Sequence, residues 1–541
     1  MNFYSLWLDL RQWLRAWFLP LLAGSSSYGI LFFAQPPHSS PEGAYVFLLP
    51  SLIWLATKPP LKKVLIVYLV TGWLYFFFLV GWMRHISPVG MILATFLLSA
   101  YQLPWFWLAK ILLPLGMHTS FFKRIVALLV LPCAWVVTEW IRCYFTLGFP
   151  WCPLSTTQWE RPAILQTIPW FGAWVVSFFL VCFNLCVASY LHHLLVRRKK
   201  VTRNILSSLC PDLYFGLLLL FLMVSPFFLN RSISSEKATS LTIEVGICQP
   251  YLTEKWQQSS SNSHKEILAR QTSFLGALNP DLIIWPEAAT PNGLHVDLPW
   301  VKKLAQSVHA PLLIGATVKE GIHNYNSVVR IRPTSGMDQE WYAKRILVPF
   351  GEYVPFPFKL IPGLRKMVGP VGNFTAGEYP VFQEIELKDE KKTKISVGPL
   401  ICYEDIFPQL TRDLVKGGSD IIFVTTNDAW FGEEGCAEQH ASHSVLRALE
   451  SGQTILRCGN SGLSGWIDSR GHLHDILRDE NGSIYFQGAS TVQVSFIPKS
   501  STFYSKHGDF FPWICILITA LFLVFNQIEK WKSNNQQLVS P

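Results

Sequence analysis

Charged side chains are scarce in this 541-residue sequence, where Asp, Glu, Lys and Arg make up 15% of positions. Soluble globular chains carry about a quarter, so an ordinary soluble enzyme is excluded, and the 50% hydrophobic content excludes intrinsic disorder. Acidic residues are nearly missing from the first 230 positions, with five against sixteen Lys and Arg. The remainder is close to neutral, with 31 acidic and 29 basic residues. The overall +9 therefore describes one part of the chain. No basic patch for nucleic acid, Gly-rich phosphate loop or internal repeat is present. Of the eleven cysteines, Cys248, Cys402, Cys436 and Cys458 lie in the second part. None has the paired spacing of a zinc site or disulfide framework. No metal or cofactor is expected.

What is present first is a series of long apolar runs. A helix needs about 20 apolar residues to cross a bilayer. Val64–Trp82, Val89–Ala109, Phe171–Leu191 and Leu213–Leu229 contain no Lys, Arg, Asp or Glu. Trp17–Ala34, Ile125–Val137 with its flanks and Phe510–Phe525 also qualify, whereas Ala44–Thr57 is short. Basic residues beside spans are retained on the cytoplasmic side. Fifteen of them (Arg11, Arg15, Lys58, Lys62, Lys63, Lys110, Lys123, Arg124, Arg197, Arg198, Lys199, Lys200, Arg203, Lys530 and Lys532) fall in alternate loops, against Arg84, Arg142 and Arg161 in the others. Arg11/Arg15 and Lys58/Lys62/Lys63 share a side only if Ala44–Thr57 also crosses. The reading is eight spans. Residues 1–230 form a membrane domain with seven of them, 231–505 lie outside the cytoplasm, and 506–541 hold the eighth span and a cytoplasmic tail.

From Leu241 the pattern changes to short β-rich runs separated by helix-compatible stretches. Leu241–Cys248, Asp281–Trp285, Pro311–Ala316, Ser327–Ile331, Ile395–Ile401, Asp420–Thr425 and Thr454–Cys458 read as strands, and His264–Leu278 and Gln439–Ser451 as helices. This alternation predicts a layered α/β domain of about 260 residues.

Three segments in it carry reactive side chains. Asp281–Glu287 is a buried strand stopped by Pro286 that presents a carboxylate. Trp341–Pro355 places Lys344 among apolar neighbours and Glu352 in a turn. Val397–Asp405 ends a hydrophobic strand in Cys402, followed by acids. A thiolate attacks, a nearby carboxylate serves as base, and an ammonium stabilises thiolate and oxyanion. Singly, each residue has a plainer reading: a core thiol, a surface lysine, a carboxylate at a helix start.

Together these segments resemble the carbon–nitrogen hydrolase (nitrilase) superfamily, which implies a Glu-Lys-Cys triad on an α-β-β-α sandwich. WPEAATP, YAKRILVPFGEYVPF, GPLICYEDIFP and NDAWFG are, more narrowly, similar to the apolipoprotein N-acyltransferase family, as are Thr138–Arg142 and Gly148–Trp151. The resemblance covers nearly the whole chain. It implies an extracytoplasmic catalytic domain of this type on a polytopic membrane bundle in the bacterial inner membrane. It makes Glu287 the base, Lys344 the oxyanion-stabilising cation and Cys402 the nucleophile. Glu352, Tyr403 and Glu404 have supporting places, and Trp256 and Trp430 line an acyl pocket.

The implied reaction takes an acyl chain from a phospholipid onto Cys402. It then passes the chain to the α-amine of a diacylglyceryl-modified apolipoprotein. The sequence departs from the family pattern at Glu434–His440 and Arg457–Ser461, and Cys436 and Cys458 read as packing thiols. His440 and His443, three apart on a helix, read as a satisfied face, since no third metal-ligand segment accompanies them. Phe350–Phe374 interleaves aromatic and basic residues and is expected to be a mobile, membrane-facing arm. Two other functions use the same motifs: a membrane-tethered amidase, and a transporter or receptor with an inactive sensor domain.

Overall fold

The computed structural model describes residues 3–116, 121–145, 148–197, 210–233, 240–252, 261–356, 358–360 and 372–539. Seven of its helices are long and apolar enough to cross a membrane: Ala16–Ala34, Leu61–Leu79, Pro88–Leu113, Arg124–Tyr144, Trp174–Leu194, Pro211–Phe228 and Phe510–Lys532. Their outer faces expose Phe18, Phe78, Leu93, Phe221 and Leu521, while Tyr68, Trp105, Phe106 and Phe179 fill the interior. Apolar side chains on both faces are what a lipid-facing bundle requires.

The expected second span is not a full-length helix. Pro41–Leu55 is a short apolar stretch, made of a 3-10 turn, Pro41–Tyr45, and the helix Leu49–Leu55. The chain nevertheless returns across the bundle here, because the helices on either side run parallel. Lys63 bonds the carbonyl of Ala16 and lies over Trp17. Further along, Gly24 meets Thr71 and Val67, and Tyr28 stacks on Tyr75 at 5.1 Å. Two parallel neighbours need a connection that spans their length. The broken segment is tolerated because it is enclosed by protein and its open backbone groups are satisfied. Asn184 accepts from Leu48 N at 2.9 Å and donates to Ala44 O at 2.8 Å.

The α/β part contains two sheets. The first holds β1 (Leu241–Gln249), β2 (Leu282–Ile284), β3 (Leu312–Glu320), β4 (His323–Arg332), β5 (Gly336–Met337) and β6 (Tyr342–Ala343). The second holds β7 (Gln383–Glu386), β8 (Lys394–Ile401), β9 (Ile421–Thr426), β10 (Thr454–Gly459), β11 (Gly465–Ile467) and β12 (Leu473–His474). The last strand, β13 (Gly488–Phe496), returns to pair antiparallel with β1. The orders are β13-β1-β2-β3-β4-β5, with β6 also on β4, and β12-β11-β10-β9-β8-β7.

Strand periodicity separates the layers. Ile421 and Phe423 of β9 face β1 and β2 residues such as Val245 and Ile284 in an inter-sheet core. Ile422 and Val424 point the other way. Helices Ser261–Ala277 and Leu294–Val308 cover the outer face of the first sheet through Leu268, Leu275, Val301 and Ala305. The result is an α-β-β-α sandwich.

The helix Cys436–Ser451 covers the second sheet, and every residue in it except Glu438 is buried. Its other face meets the helical bundle. Gln439 accepts from Trp82 Nε1 at 2.9 Å and Trp151 Nε1 at 2.8 Å, and it donates to Leu79 O at 2.9 Å and Pro36 O at 3.2 Å. Glu450 accepts from Ala173 N at 2.8 Å. Asp509, at the start of the last long helix, pairs with Arg412 at 3.0 Å and accepts from Tyr144 at 2.6 Å. The ends of the helices that reach the sandwich (Ala34, Leu79, Tyr144, Trp174 and Phe510) therefore lie on one side, and Lys58, Lys62 and Lys63 on the other. Reporter fusions active only outside the cytoplasm are expected to be silent after Pro59 and after Lys532, and active after Ile86. Activity after Pro59 contradicts the return of the chain through Pro41–Leu55.

Candidate active site

Three strand ends on the facing sheets build the site. After β2 the chain runs through Trp285 and Pro286, which has no N–H to continue the ladder, into Glu287. The backbone turns at once, with Ala288 at φ +52°. Room for it comes from Gly315 in β3, where a Cβ would lie 2.4 Å from Pro286 O and 2.6 Å from the Cα of Glu287. Lys344 follows β6, held by its N–H to Asn326 O and its carbonyl to Gly377 N, both at 2.8 Å. Cys402 follows β8 and opens the turn Cys402–Ile406, with φ +51°. A non-glycine residue held there at a strand-to-helix turn projects its side chain out of the sheet.

The buried Lys344 Nζ sits 3.0 Å from Glu352 Oε1 and 3.4 Å from Glu287 Oε1. Burial alone would depress this ammonium, but Glu352 and Glu287 more than offset it, and Lys344 is held charged. Asn326 Nδ2 bridges the two carboxylates at 2.7 and 2.8 Å, and Glu352 Oε2 accepts from Val348 N at 2.8 Å. Cys402 is the one cysteine that is not fully buried, and all eleven thiols are free. Burial of its thiol, then the Glu287 charge, raise its pKa, while Lys344 opposes them. Burial thus favours the neutral thiol over the thiolate.

Glu404 ties the lysine and cysteine segments together. It accepts from Ile401 N at 2.8 Å, Arg345 N at 2.6 Å and Tyr342 Oη at 2.8 and 2.9 Å. Desolvation raises its pKa, and these donors stabilise its charge. Tyr403 donates to Gly148 O at 2.5 Å and stacks near Phe149, which joins the site to the loop above the bundle. Trp430 lies in the turn Asp428–Phe431, whose Phe431 packs on Trp82 at 4.7 Å. Trp256 and most of the 350–374 segment (357 and 361–371) lie outside the described residues.

The sequence reading missed the layer behind Cys402. His440 approaches Asp428 Oδ1 at 2.9 Å through Nδ1, Asp405 Oδ1 at 2.8 Å through Nε2, and Cys402 O at 3.1 Å. Arg457 pairs with Asp405 at 2.7 Å. All four ionic groups are buried. Burial lowers the His440 pKa, but Asp405 and Asp428 raise it further, to about 10. The ligand atoms of Cys402, Asp428 and His440 lie within 4.8 Å of one another, and both ring nitrogens of His440 already face carboxylate oxygens. His443 accepts from Cys152 N at 3.3 Å, and burial pushes its pKa well down. The only signals for this layer were the second acid after Cys402 and the unassigned aspartate of NDAWFG.

Residues 246–493 match the family model described as carbon–nitrogen hydrolase. A membrane-bound member of that superfamily is the class that sandwich and site define. Residues 27–186 match the model described as apolipoprotein N-acyltransferase N-terminal domain. The apolipoprotein N-acyltransferase of Geobacter metallireducens is 28% identical over 498 residues, covering 87% of this chain and 88% of the relative. That of Chlorobaculum tepidum is 27% identical, covering 95% and 97%. Among solved structures, a CN-hydrolase superfamily protein from Xanthomonas campestris is 16% identical, covering 47% of this chain and 91% of its own, with a TM-score of 0.35. The chain belongs to the apolipoprotein N-acyltransferase family.

Gly315→Ala is expected to displace Glu287 while leaving the rest of the sheet in place. A displacement of about 1 Å costs on the order of 100-fold in rate, measured as turnover of the purified variant. Near-normal turnover would show that the Glu287 turn tolerates the added methyl.

Proposed function

We propose that this chain transfers a fatty acyl chain from a membrane phospholipid to an apolipoprotein. The acceptor is the α-amino group of the N-terminal S-diacylglyceryl cysteine, reached through a thioester on Cys402. The observation that carries this reading is the buried Lys344, held between Glu287 and Glu352 beside a free thiol, in a sandwich docked directly on apolar helices. The names of the relatives and their bacterial sources support the same activity. Residues 231–505 then form the catalytic domain on the periplasmic face of the inner membrane, with both termini in the cytoplasm. The distribution of basic residues supports that orientation.

In the first step Glu287 takes the thiol proton and Cys402 Sγ attacks the ester carbonyl. Lys344 stabilises the oxyanion with its fixed positive charge, which developing negative charge strengthens. The backbone N–H of Tyr403, in the first positions of the turn opened by Cys402, has no carbonyl within that turn to bond and can share this task. Collapse expels the lysophospholipid alkoxide, which receives the proton from Glu287, and leaves the thioester. In the second step the lipoprotein amine attacks the thioester carbonyl, Glu287 takes its proton, and the restored thiol receives it. Glu352 and Asn326 hold Lys344 and Glu287 in register. Both substrates are anchored in the bilayer, so a site at the bundle surface meets them at high effective concentration.

The test is incubation of the purified protein with phospholipid and a diacylglyceryl-cysteine peptide. The expected products are lysophospholipid and N-acylated peptide. Release of free fatty acid without acylated peptide would make the protein a hydrolase, and no acyl release would leave a non-catalytic membrane protein. Lys344→Arg is expected to lose at least about 100-fold in rate. A planar guanidinium does not fit the compact space between two carboxylates, and near-normal turnover would remove Lys344 from the mechanism.

A further inference from the structure

We propose that His440 is a positioning residue for the reaction, holding the backbone of Cys402 in its strained conformation by bonding the Cys402 carbonyl from behind. The inference rests on the reading of Cys402 as the nucleophile and goes beyond the Glu-Lys-Cys set. Three observations carry it. Cys402 has φ +51°, a region that a non-glycine residue keeps only when its surroundings impose it. The imposing contact is His440 Nε2–H, 3.1 Å from Cys402 O. The imidazole is itself immobilised, with Asp428 Oδ1 at 2.9 Å on Nδ1 and Asp405 Oδ1 at 2.8 Å from Nε2.

The surroundings form a closed, charge-balanced unit. Arg457 pairs with Asp405 Oδ2 at 2.7 Å and faces Asp428 Oδ2 at 3.7 Å. Ser444 donates to Asp405 Oδ2, and Thr426 Oγ1 lies 3.5 Å from His440 Nδ1. Two cations thus face two carboxylates, all buried. Because Asp405 follows Cys402 by three residues, the same imidazolium grips both ends of the first turn after the nucleophile. The paired carboxylates outweigh burial and keep the imidazolium protonated through the neutral range. Fixed partners on both ring nitrogens hold His440 in place, so it acts by position.

The test uses the full-length protein in detergent and a phosphatidylethanolamine carrying a fluorescent acyl chain. The rate of acyl-enzyme formation is followed in the unchanged protein, in His440→Gln and in the charge-balanced pair His440→Gln with Asp428→Asn. Thermal unfolding of each is measured in parallel. Slowing of acyl-enzyme formation by 30-fold or more in both variants is expected, with KM for the phospholipid within a factor of two. A role limited to charge balance predicts that the pair recovers the rate of the unchanged protein. That recovery, or a single variant that acylates normally, overturns the proposal. Should His440→Gln alone fail to fold, the balanced pair carries the comparison. Failure of the unchanged protein to form an acyl-enzyme would instead overturn the reading of Cys402, which separates the two outcomes.

Discussion

The helix Cys436–Ser451 has no solvent side, and the rest of the structure follows from that constraint. One face packs on the second sheet and the other on the helical bundle, so its polar side chains must find partners within the protein. An unmade buried hydrogen bond costs about 1–3 kcal/mol, whereas a group left in water bonds to the solvent. Gln439 meets the requirement with two indoles and two backbone carbonyls contributed by three separate parts of the bundle. His440, the next residue, meets it with Asp405, Asp428 and the carbonyl of Cys402. Adjacent positions on one helix therefore connect the bundle and the Cys402 turn. The sandwich is docked through the layer that also supports that turn.

This arrangement matters for a reaction between two lipid-anchored molecules. A freely moving catalytic domain would have to find both substrates at the surface, whereas a docked one presents its site at a fixed position beside the bundle. Tyr403, immediately after Cys402, reaches the loop at Gly148 and lies against Phe149. Cys402 is thus one residue away from a contact with the loop above the helical bundle. Within the site, the ammonium of Lys344 is already paired before substrate arrives, so its charge is fixed rather than recruited, as preorganised stabilisation requires.

Much of this was legible in the amino-acid order. Uncharged runs such as Val64–Trp82 can only be spans or core, and their length decides. The crossing at Pro41–Leu55 was legible only through charges elsewhere, because Lys58, Lys62 and Lys63 must share a side with Arg11 and Arg15. Its broken form was not, since that depends on Asn184, more than a hundred residues away. Glu287, Lys344 and Cys402 stood out because each reactive side chain interrupts or ends an apolar run. Asn326 did not, because nothing local distinguishes it and its role comes from two carboxylates brought in by other segments. His440 was read as part of a satisfied helix face. It is satisfied, but by groups behind Cys402, which a helical pattern does not reveal. β13 was missed because its polar positions outnumber Val492, Val494 and Phe496, so no apolar run marks it.

The most direct test is the intact mass of the full-length protein after exposure to phospholipid, followed by fragment assignment of any added group. The account predicts one acyl chain on Cys402 as a hydroxylamine-labile thioester that disappears when a diacylglyceryl-cysteine peptide is added. An unmodified Cys402 under turnover conditions, or acylation that persists in Cys402→Ala, would contradict it.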